Sequence, residues 1–580
     1  MNSLEIALLF LAAAVCTVVA FRFLHLPAML GYLTAGIVIS PFAFSVAKHA
    51  ASLSYLAEFG VVFLMFVIGL EFNLPKLLKL RKEVFGVGLS QVFLTILGTV
   101  AGNFGVLYGA TLLGAAWDIT WQASLVLGAA LTMSSTAIVV KMMADRAELE
   151  SRHGRLVIGI LLFQDIAVVP LLVLIPALGD VNDGNLGQLL AIALAKGVAI
   201  VSLLLWGGHW MVGRWLAVVD RRKSEELFLL NVLLIALGFS WISEHAGLSL
   251  AMGAFLAGML IAETDFKHRV EEDIKPFHDI LLGLFFITIG MKLDWVVLAQ
   301  NWHIVLLLTI VPVLVKGLLV AVIARAFGTR GGASIRTGIY LAQAGEFGFV
   351  LLSLGTERGL IEPAWVSPIL AAMVLSMLAT PFMMMRSEAL VFRLSRSAWL
   401  ERSVEITELS KHAMHENRHV IICGFGRCGK NLAALFEKEK MSFVALEIND
   451  DEVAKDRISG YRVELGDSTD LSCLLAAGLH RASAVVVSYN DTAAALKIVR
   501  LVKENADHVP VIVRTEDDRD YDTLLDAGAQ SVVPDVFEGS LALASQTLLR
   551  IGVLSDRVDT LIRDERRGYY DLRPQTHDPH

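Results

Sequence analysis

Between residues 4 and 385 the chain keeps returning to apolar runs, near 4–22, 28–44, 54–70, 84–113, 122–144, 156–178, 187–213, 226–243, 247–262, 278–291, 302–324, 337–355 and 364–385. About 20 residues at 1.5 Å each cross the hydrocarbon of a bilayer, so these read as about thirteen transmembrane helices, several of them short. Composition agrees: 18% of the 580 residues are charged and the mean hydropathy is +0.63, against about 25% charged in a soluble domain. The charges thicken after about residue 386, which predicts two physically different halves. The expected domains are a membrane domain over 1–390, a linker over 391–417, a nucleotide-binding domain over 418–550 and a polar tail over 551–580.

The loops carry charge in alternation. One set holds Lys76, Lys79, Arg81 and Lys82, then Arg146, Arg152 and Arg155, then Arg221, Arg222 and Lys223, then Lys267, Arg269 and Lys275, then Arg325, Arg330 and Arg336. The opposite set holds little beyond Lys48, Lys292 and Arg358. The positive-inside bias puts the first set and the C-terminal half in the cytoplasm, and the odd number of spans puts the N-terminus on the periplasmic side. The first 21 residues lack the positive region of a cleaved signal peptide and read as the first span. Four scattered cysteines suit neither a disulfide framework nor a zinc site.

The sixth run, Leu156 to Ala177, contains LLFQDIAVVP. A carboxylate at that depth costs at least ~2.5–3.5 kcal/mol, so Asp165 marks an ion path or a proton relay unless it is a structural hydrogen-bonding group. Gln164 precedes it. Two other runs look interrupted: Thr132, Ser134, Ser135 and Thr136 fall in mid-span in VLGAALTMSSTAIVV, and Gln343, Gly345, Glu346 and Gly348 in IYLAQAGEFGFVL. Unwound backbone survives at that depth only when buried or lining a cavity, and its oxygens can replace the hydration shell of a monovalent cation. Hydroxyls that merely bond back to their own helix are the plainer alternative. Lys316 lies too deep to snorkel and is a candidate proton-linked counter-charge, or a permanent ion-pair partner of Asp165 or Glu346.

The chain also repeats itself. Leu26–Ile39 aligns with Leu248–Ile261, bringing Gly31 onto Gly253 and Gly36 onto Gly258, and at nearly the same offset FLMFVIGLEF aligns with LFFITIGMKL. Corresponding helices are an odd number of spans apart, so the halves are inverted, a feature of secondary transporters whose sites lie at the midplane between interrupted helices.

After Arg418 the pattern changes to alternating strands and helices. A β-rich run ends in Gly424-Phe425-Gly426-Arg427-Cys428-Gly429, a helix follows, and the next strand ends in Glu447, placed to accept ribose hydroxyls. Asp467 and Ser468, after the third strand, fall at the adenine edge. The expectation is an α/β Rossmann-like domain for a nucleotide, followed by one more helix over 541–552. With no candidate for hydride transfer beside the turn, it reads as a ligand sensor with no catalytic cofactor, and the chain as no enzyme. A ligand-gated channel is the rival from another class, but no TVGYG-like filter is present. Nothing points to nucleic acid.

The Gln164-Asp165 pair, the interrupted QAGEFGF span and the FGRCGK turn together resemble the glutathione-gated potassium/proton efflux antiporters of bacteria, the Kef-type members of the monovalent cation:proton antiporter-2 family. The similarity runs from about residue 5 to about 550. It implies a homodimer of inverted-repeat antiporter fold in the inner membrane, with Asp165 exchanging protons for the cation and Lys316 as its partner. Related antiporters often carry two acids or Asn-Asp where this chain has Gln164-Asp165, the pair of potassium-selective members; sodium remains the alternative ion. The resemblance also implies a regulatory domain that binds AMP or NAD(H), with glutathione or its adducts as gating ligands; an ancillary activator subunit is a further candidate partner that the sequence leaves open. Glu271 and Asp273 match the family's acidic loop, Arg427 its partner, and Arg514 a tripeptide contact, although Lys275 stands where an acid is common.

Overall fold

The computed structural model describes residues 3–23, 28–40, 51–71, 80–112, 119–146, 148–149, 151–179, 208, 211–246, 249–291, 293, 295–329, 331–394, 406–411, 413 and 418–571. The chain divides into two compact units, one of Met1–Val140 with Arg155–Val391, the other of Lys141–Gly154 with Phe392–His580. Most of the expected span over 187–213, much of the linker over 391–417, and Lys48, Lys76, Lys79, Lys292 and Arg330 lie outside the described residues.

The first unit is helical. Its first half contains α1 (Ser3–Phe23), α2 (Ala28–Ile39), α3 (Ala51–Glu71), α4 (Leu89–Leu112), α5 (Trp121–Thr132), α6 (Thr136–Asp145) and α7 (Arg152–Gly179). Its second half contains α8 (Glu225–His245), α9 (Leu250–Ala262), α10 (Lys267–Met291), α11 (Trp302–Ala326), α12 (Gly331–Tyr340), α13 (Glu346–Glu357) and α14 (Pro363–Met385). A π-helical turn over Glu83–Gly88 leads into α4, so the fourth run is not a regular helix throughout. Among the described residues, six spans are long and apolar enough to cross a membrane, with α5 and α6 forming one of them, and five shorter apolar helices accompany them.

Packing repeats the duplication residue by residue. A Cβ on Gly36 of α2 would collide with the carbonyl oxygen of Ile287 on α10; one on Gly258 of α9 would collide with that of Phe66 on α3. The aligned pair Gly69 and Gly290 do the same to Phe255 and Leu33. Each glycine lets two backbones touch where a side chain would hold them apart, as in small-residue packing of membrane helices. Thus α2 packs on α10 as α9 packs on α3, and the repeat predicted from sequence is a repeat of contacts.

The second unit contains a six-stranded sheet in the order β3-β2-β1-β4-β5-β6, with every neighbouring pair parallel. Its strands are β1 (Val420–Cys423), β2 (Phe443–Glu447), β3 (Val463–Leu465), β4 (Ala484–Val487), β5 (Val511–Thr515) and β6 (Ser531–Pro534). Helices α15 (Arg427–Lys438), α16 (Asp450–Ile458), α17 (Leu471–Ala476), α18 (Thr492–Asn505) and α19 (Tyr521–Asp526) connect them. One core packs Ile421, Val485 and Val513 with Ile498 and Val502 of α18; another packs Ile422 and Ala445 with Ala433 of α15. The helix expected over 541–552 is longer and starts earlier, as α20 (Asp535–Arg550). The expected polar tail is largely a helix, α21 (Ser555–Asp571). It is held by partners far off in sequence: Tyr569 stacks on Phe537 at 3.7 Å and donates to Asp518, while Arg566 and Tyr570 both bond Glu538.

Candidate functional site

The helix over 121–145 breaks at Met133–Ser135, and the helix over 331–357 breaks at Leu341–Gly345. The two breaks cross in contact. A Cβ on Gly345 would sit 2.5 Å from the Ser134 carbonyl carbon and 2.8 Å from the Ser135 nitrogen, so only glycine allows this approach. Broken helices leave carbonyls unpaired at one end and N–H groups at the other, with partial charges of opposite sign.

Lys316 on α11 answers the carbonyl ends. Only 4% exposed, it donates to Met133 O at 2.8 Å, Gln343 O at 2.8 Å and Ser134 Oγ at 2.9 Å. Met133 and Gln343 follow the C-terminal ends of α5 and α12. All three ammonium protons are therefore held by neutral oxygens, where the sequence pointed to a carboxylate partner in Asp165 or Glu346. Ser134 Oγ in turn donates to Leu341 O at 3.0 Å, tying one break to the other.

Glu346 answers the amide ends. It opens α13, is 6% exposed, and its carboxylate meets the Ser135 side chain and the Ala137 backbone at the start of α6. An anion between two helix N-termini is favourable electrostatically. Ser135 Oγ also accepts from Ile138 N at 3.3 Å. Glu346 Oε2, Thr136 Oγ1 and both polar atoms of the Gln343 side chain are buried with no hydrogen-bond partner among the described residues. Buried polar groups are nearly always satisfied, so a cluster of orphans at one crossing is notable.

Asp165 stands half-buried on α7. Its neighbour Gln164 is 1% exposed and joins a network that includes Gln91, which sequence reasoning missed. Gln164 Oε1 accepts from Ser134 N at 2.8 Å, so its Nε2 faces Gln91 and donates to Gln91 Oε1 at 2.8 Å. Gln91 Nε2 then points to Thr132 O at 3.3 Å, Thr132 Oγ1 at 3.2 Å and Thr95 Oγ1 at 3.1 Å. A backbone donor fixes one end of this chain and a backbone acceptor the other, so neither amide can flip without setting like against like. The network demands a group at 164 that both accepts and donates. An amide does so; a carboxylate does not.

In the second unit, Gly424 adopts φ +89° at the end of β1, and a Cβ on Gly429 would collide with the Gly424 carbonyl. These close approaches seat the N-terminus of α15, capped at Gly426, over the sheet. Glu447 accepts from Phe425 N at 2.9 Å and Asn449 N at 3.0 Å, which braces the turn and leaves carboxylate lone pairs over. The Phe425 side chain is buried edge-on against Tyr461, so it serves the core. Arg427 is exposed and Cys428 half-buried at the first positions of α15. Asp467 caps Thr469 at 2.8 Å, and Ser468 meets the Tyr489 hydroxyl at 3.2 Å. Tyr489, whose ring lies against Gly424, carried no sequence signal of its own. Burial holds its phenol well above the usual range and pushes the Cys423 thiol up to about 12.

Of the four regulatory candidates, Glu271 and Asp273 belong to the first unit, and Arg427 and Arg514 to the second. Glu271 lies 3.9 Å from His268. Asp273 lies 4.0 Å from Arg269, which also pairs with Asp220; burial raises the Asp273 pKa, partly offset by Arg269. Arg514 donates to Ser488 O at 2.9 Å and bidentately to Asp535, spanning the ends of β4, β5 and β6.

A crossing of two broken helices inside an internal repeat, carried on the same chain as a Rossmann sheet, is the architecture of a secondary transporter with a ligand-sensing domain. The family of sodium/hydrogen exchanger transmembrane domains matches residues 9–386, and the TrkA-N domain family matches 420–535. The chain belongs to the sodium/hydrogen exchanger family and is a multi-pass membrane protein, a cation/proton antiporter. Within that family it is of the Kef type. It is 36% identical over 575 residues to the putative K(+) efflux antiporter KefB of Alkalimonas amylolytica, covering 98% of this chain and 85% of that protein. It is 34% identical over 550 residues to the chloroplastic K(+) efflux antiporter 2 of Arabidopsis thaliana, covering 93% of this chain but 45% of the plant protein. The AMP-bound C-terminal domain of Kef from Shewanella denitrificans aligns with 27% of this chain and 94% of its own, at 22% identity and a TM-score of 0.23.

Proposed function

We propose that the protein exchanges potassium for protons across the bacterial inner membrane, with its N-terminus periplasmic and its Rossmann domain cytoplasmic. The helix crossing carries this reading. Lys316 and Glu346 balance the helix ends there, while Thr136, Gln343 and Glu346 keep polar atoms without hydrogen-bond partners among the described residues. Asp165 takes either a proton or the cation, and each form permits reorientation of the helices that hold it. Gln164 is neutral, and with Asp165 trading one proton for one cation the exchange is electroneutral. A single negative charge suits potassium, which is less strongly hydrated than sodium.

The Rossmann domain binds a nucleotide, AMP or NAD(H), at the Gly424–Gly429 turn with Glu447 on the ribose and Asp467 and Ser468 at the base. The nucleotide shifts the transport equilibrium by its differential affinity for the two states. The assembly is a homodimer, with Glu271, Asp273, Arg427 and Arg514 relaying the signal from glutathione-type ligands or an ancillary subunit. The test is collapse of a pH gradient in proteoliposomes on addition of potassium or sodium, with Asp165→Asn alongside wild type. The expected result is a potassium signal that the variant loses while still binding nucleotide. A signal that survives in Asp165→Asn refutes the assignment, and a sodium signal without a potassium one refutes the choice of ion.

A further inference from the structure

A cavity of 310 Å³ lies between α4, α5, α11 and α14, with Lys316, Ala342 and Ala344 among its lining. Its place beside Lys316 suggests an ion path, but the chemistry of its walls does not. Thr99 donates to Thr95 O at 2.9 Å, Ser124 to Thr120 O at 2.9 Å, Thr309 to Val305 O at 2.8 Å and Ser376 to Met373 O at 2.7 Å. Each hydroxyl proton is thus held within or just before its own helix, and Asn103 Nδ2 donates to Ile119 O. Most of the remaining lining is aliphatic. A resident water needs two to four polar partners, and apolar cavities of this kind stay dry. The ammonium at one end repels a cation, and its protons are already taken, so it does not recruit an anion.

The entrance faces lipid. Val106 of α4 and Val311 of α11 line the cavity yet are 47% and 45% exposed. Val311 belongs to a helix face that also displays Leu307 and Leu314, and α11 is the least buried of the long spans. On α4, a Cβ at Gly98, Gly102 or Gly105 would meet nothing within 4 Å, so a smooth backbone track runs beside the opening. Trp365, two residues into α14, lines the cavity. That end of α14 lies opposite the Arg- and Lys-rich loops, at the depth where tryptophan marks the membrane interface.

We propose that this cavity holds one acyl chain of a membrane phospholipid, drawn from the leaflet opposite the Lys- and Arg-rich loops, which enters between α4 and α11 and reaches the backbone of the second break. The proposal requires only that the chain span a bilayer, so it stands or falls separately from the choice of ion.

The test uses the full-length protein in nanodiscs of phosphatidylethanolamine carrying a photoactivatable diazirine near the end of one acyl chain, with labelled residues mapped by mass spectrometry. Label is expected inside the cavity, at Thr309, Ile369 and Ala372, as well as on the outer surface at Leu307 and Leu314. Ala372→Trp, which fills the interior, should cut the inner label at least tenfold and leave the outer label unchanged. Val311→Trp, at a half-exposed position where the indole lies across the entrance and displaces lipid, not core side chains, should cut the inner label in the same way by closing the mouth. Label confined to Leu307 and Leu314 in wild type overturns the proposal. So does rapid modification of Thr309→Cys by a membrane-impermeant thiol reagent, which would mean that the cavity is filled with water.

Discussion

Replacing Gln91 with leucine tests whether the amide network sets the ion site. The change keeps volume roughly constant and removes every polar contact Gln91 makes. Gln164 Nε2 would be left with Ser134 Oγ alone, at 3.5 Å, and Thr132 O would lose its 3.3 Å donor. A buried donor left without a partner costs ~1–3 kcal/mol. That energy no longer holds Gln164 in the one orientation that accepts from Ser134 N, which corresponds to roughly 5- to 150-fold in the population of the correct geometry. Gln164 adjoins Asp165, so potassium affinity in proteoliposome exchange should fall by a factor in that range, with discrimination against sodium reduced. Gln91→Glu is the informative partner: its protonated form can still accept from Gln164 and donate to Thr132 O, so exchange should recover at acidic pH and fade as the pH rises. If Gln91→Leu exchanges potassium with wild-type affinity and selectivity, the network is structural support only and the reasoning fails.

Two further outcomes follow from geometry and burial. Gly345→Ala would drive a methyl group into the Ser134 and Ser135 backbone, both unable to retreat; overpacking of this kind costs ~1–3 kcal/mol, so thermal unfolding in detergent should occur several degrees lower and exchange should be lost, whereas Gly238→Ala, with nothing within 4 Å, should leave both unchanged. Burial pushes the Cys423 thiol from 9.0 to about 12, so at pH 8 its thiolate fraction drops from about one in ten to about one in ten thousand. Cys423 should therefore alkylate about a thousandfold more slowly in the folded protein than in the denatured chain, and more slowly than half-buried Cys428, as read by mass spectrometry. The sign also governs stability: only the unfolded chain releases this proton near pH 9, so the contribution is complete below that pH and is lost as pH rises towards 12. Equal labelling of the two cysteines at pH 8 would contradict the burial.

What the sequence displayed and what it concealed divide along one physical line. Features written in a single segment were legible: apolar runs of bilayer length, serine and glycine clusters where helices break, a GxGxxG turn after a strand, and the paired glycines of the repeat. Those glycines were visible because close backbone approach excludes every other residue at that position. Features made by groups distant in the chain were not. Gln91 is one amide in an ordinary apolar helix until Thr132 and Gln164, 41 and 73 residues away, are brought against it. Tyr569 and Arg566 look like tail residues until Phe537 and Glu538 meet them.

Lys316 is the sharpest case. A buried cation in a sequence prompts a search for a carboxylate, because carboxylates are the anions that letters record. Its partners here are two main-chain carbonyls and a hydroxyl, and the carbonyls' capacity comes from helix ends that stop in mid-membrane. Backbone acceptors belong to every residue and so mark none. The consequence reaches function: the ammonium of Lys316 is balanced by helix-end carbonyls and no carboxylate, so the proposal that Asp165 alone carries the proton has a rival in Lys316. Exchange measured with and without a valinomycin-imposed potential reads this directly, since a rate that follows the potential would mean that Lys316 also gives up its proton in each cycle.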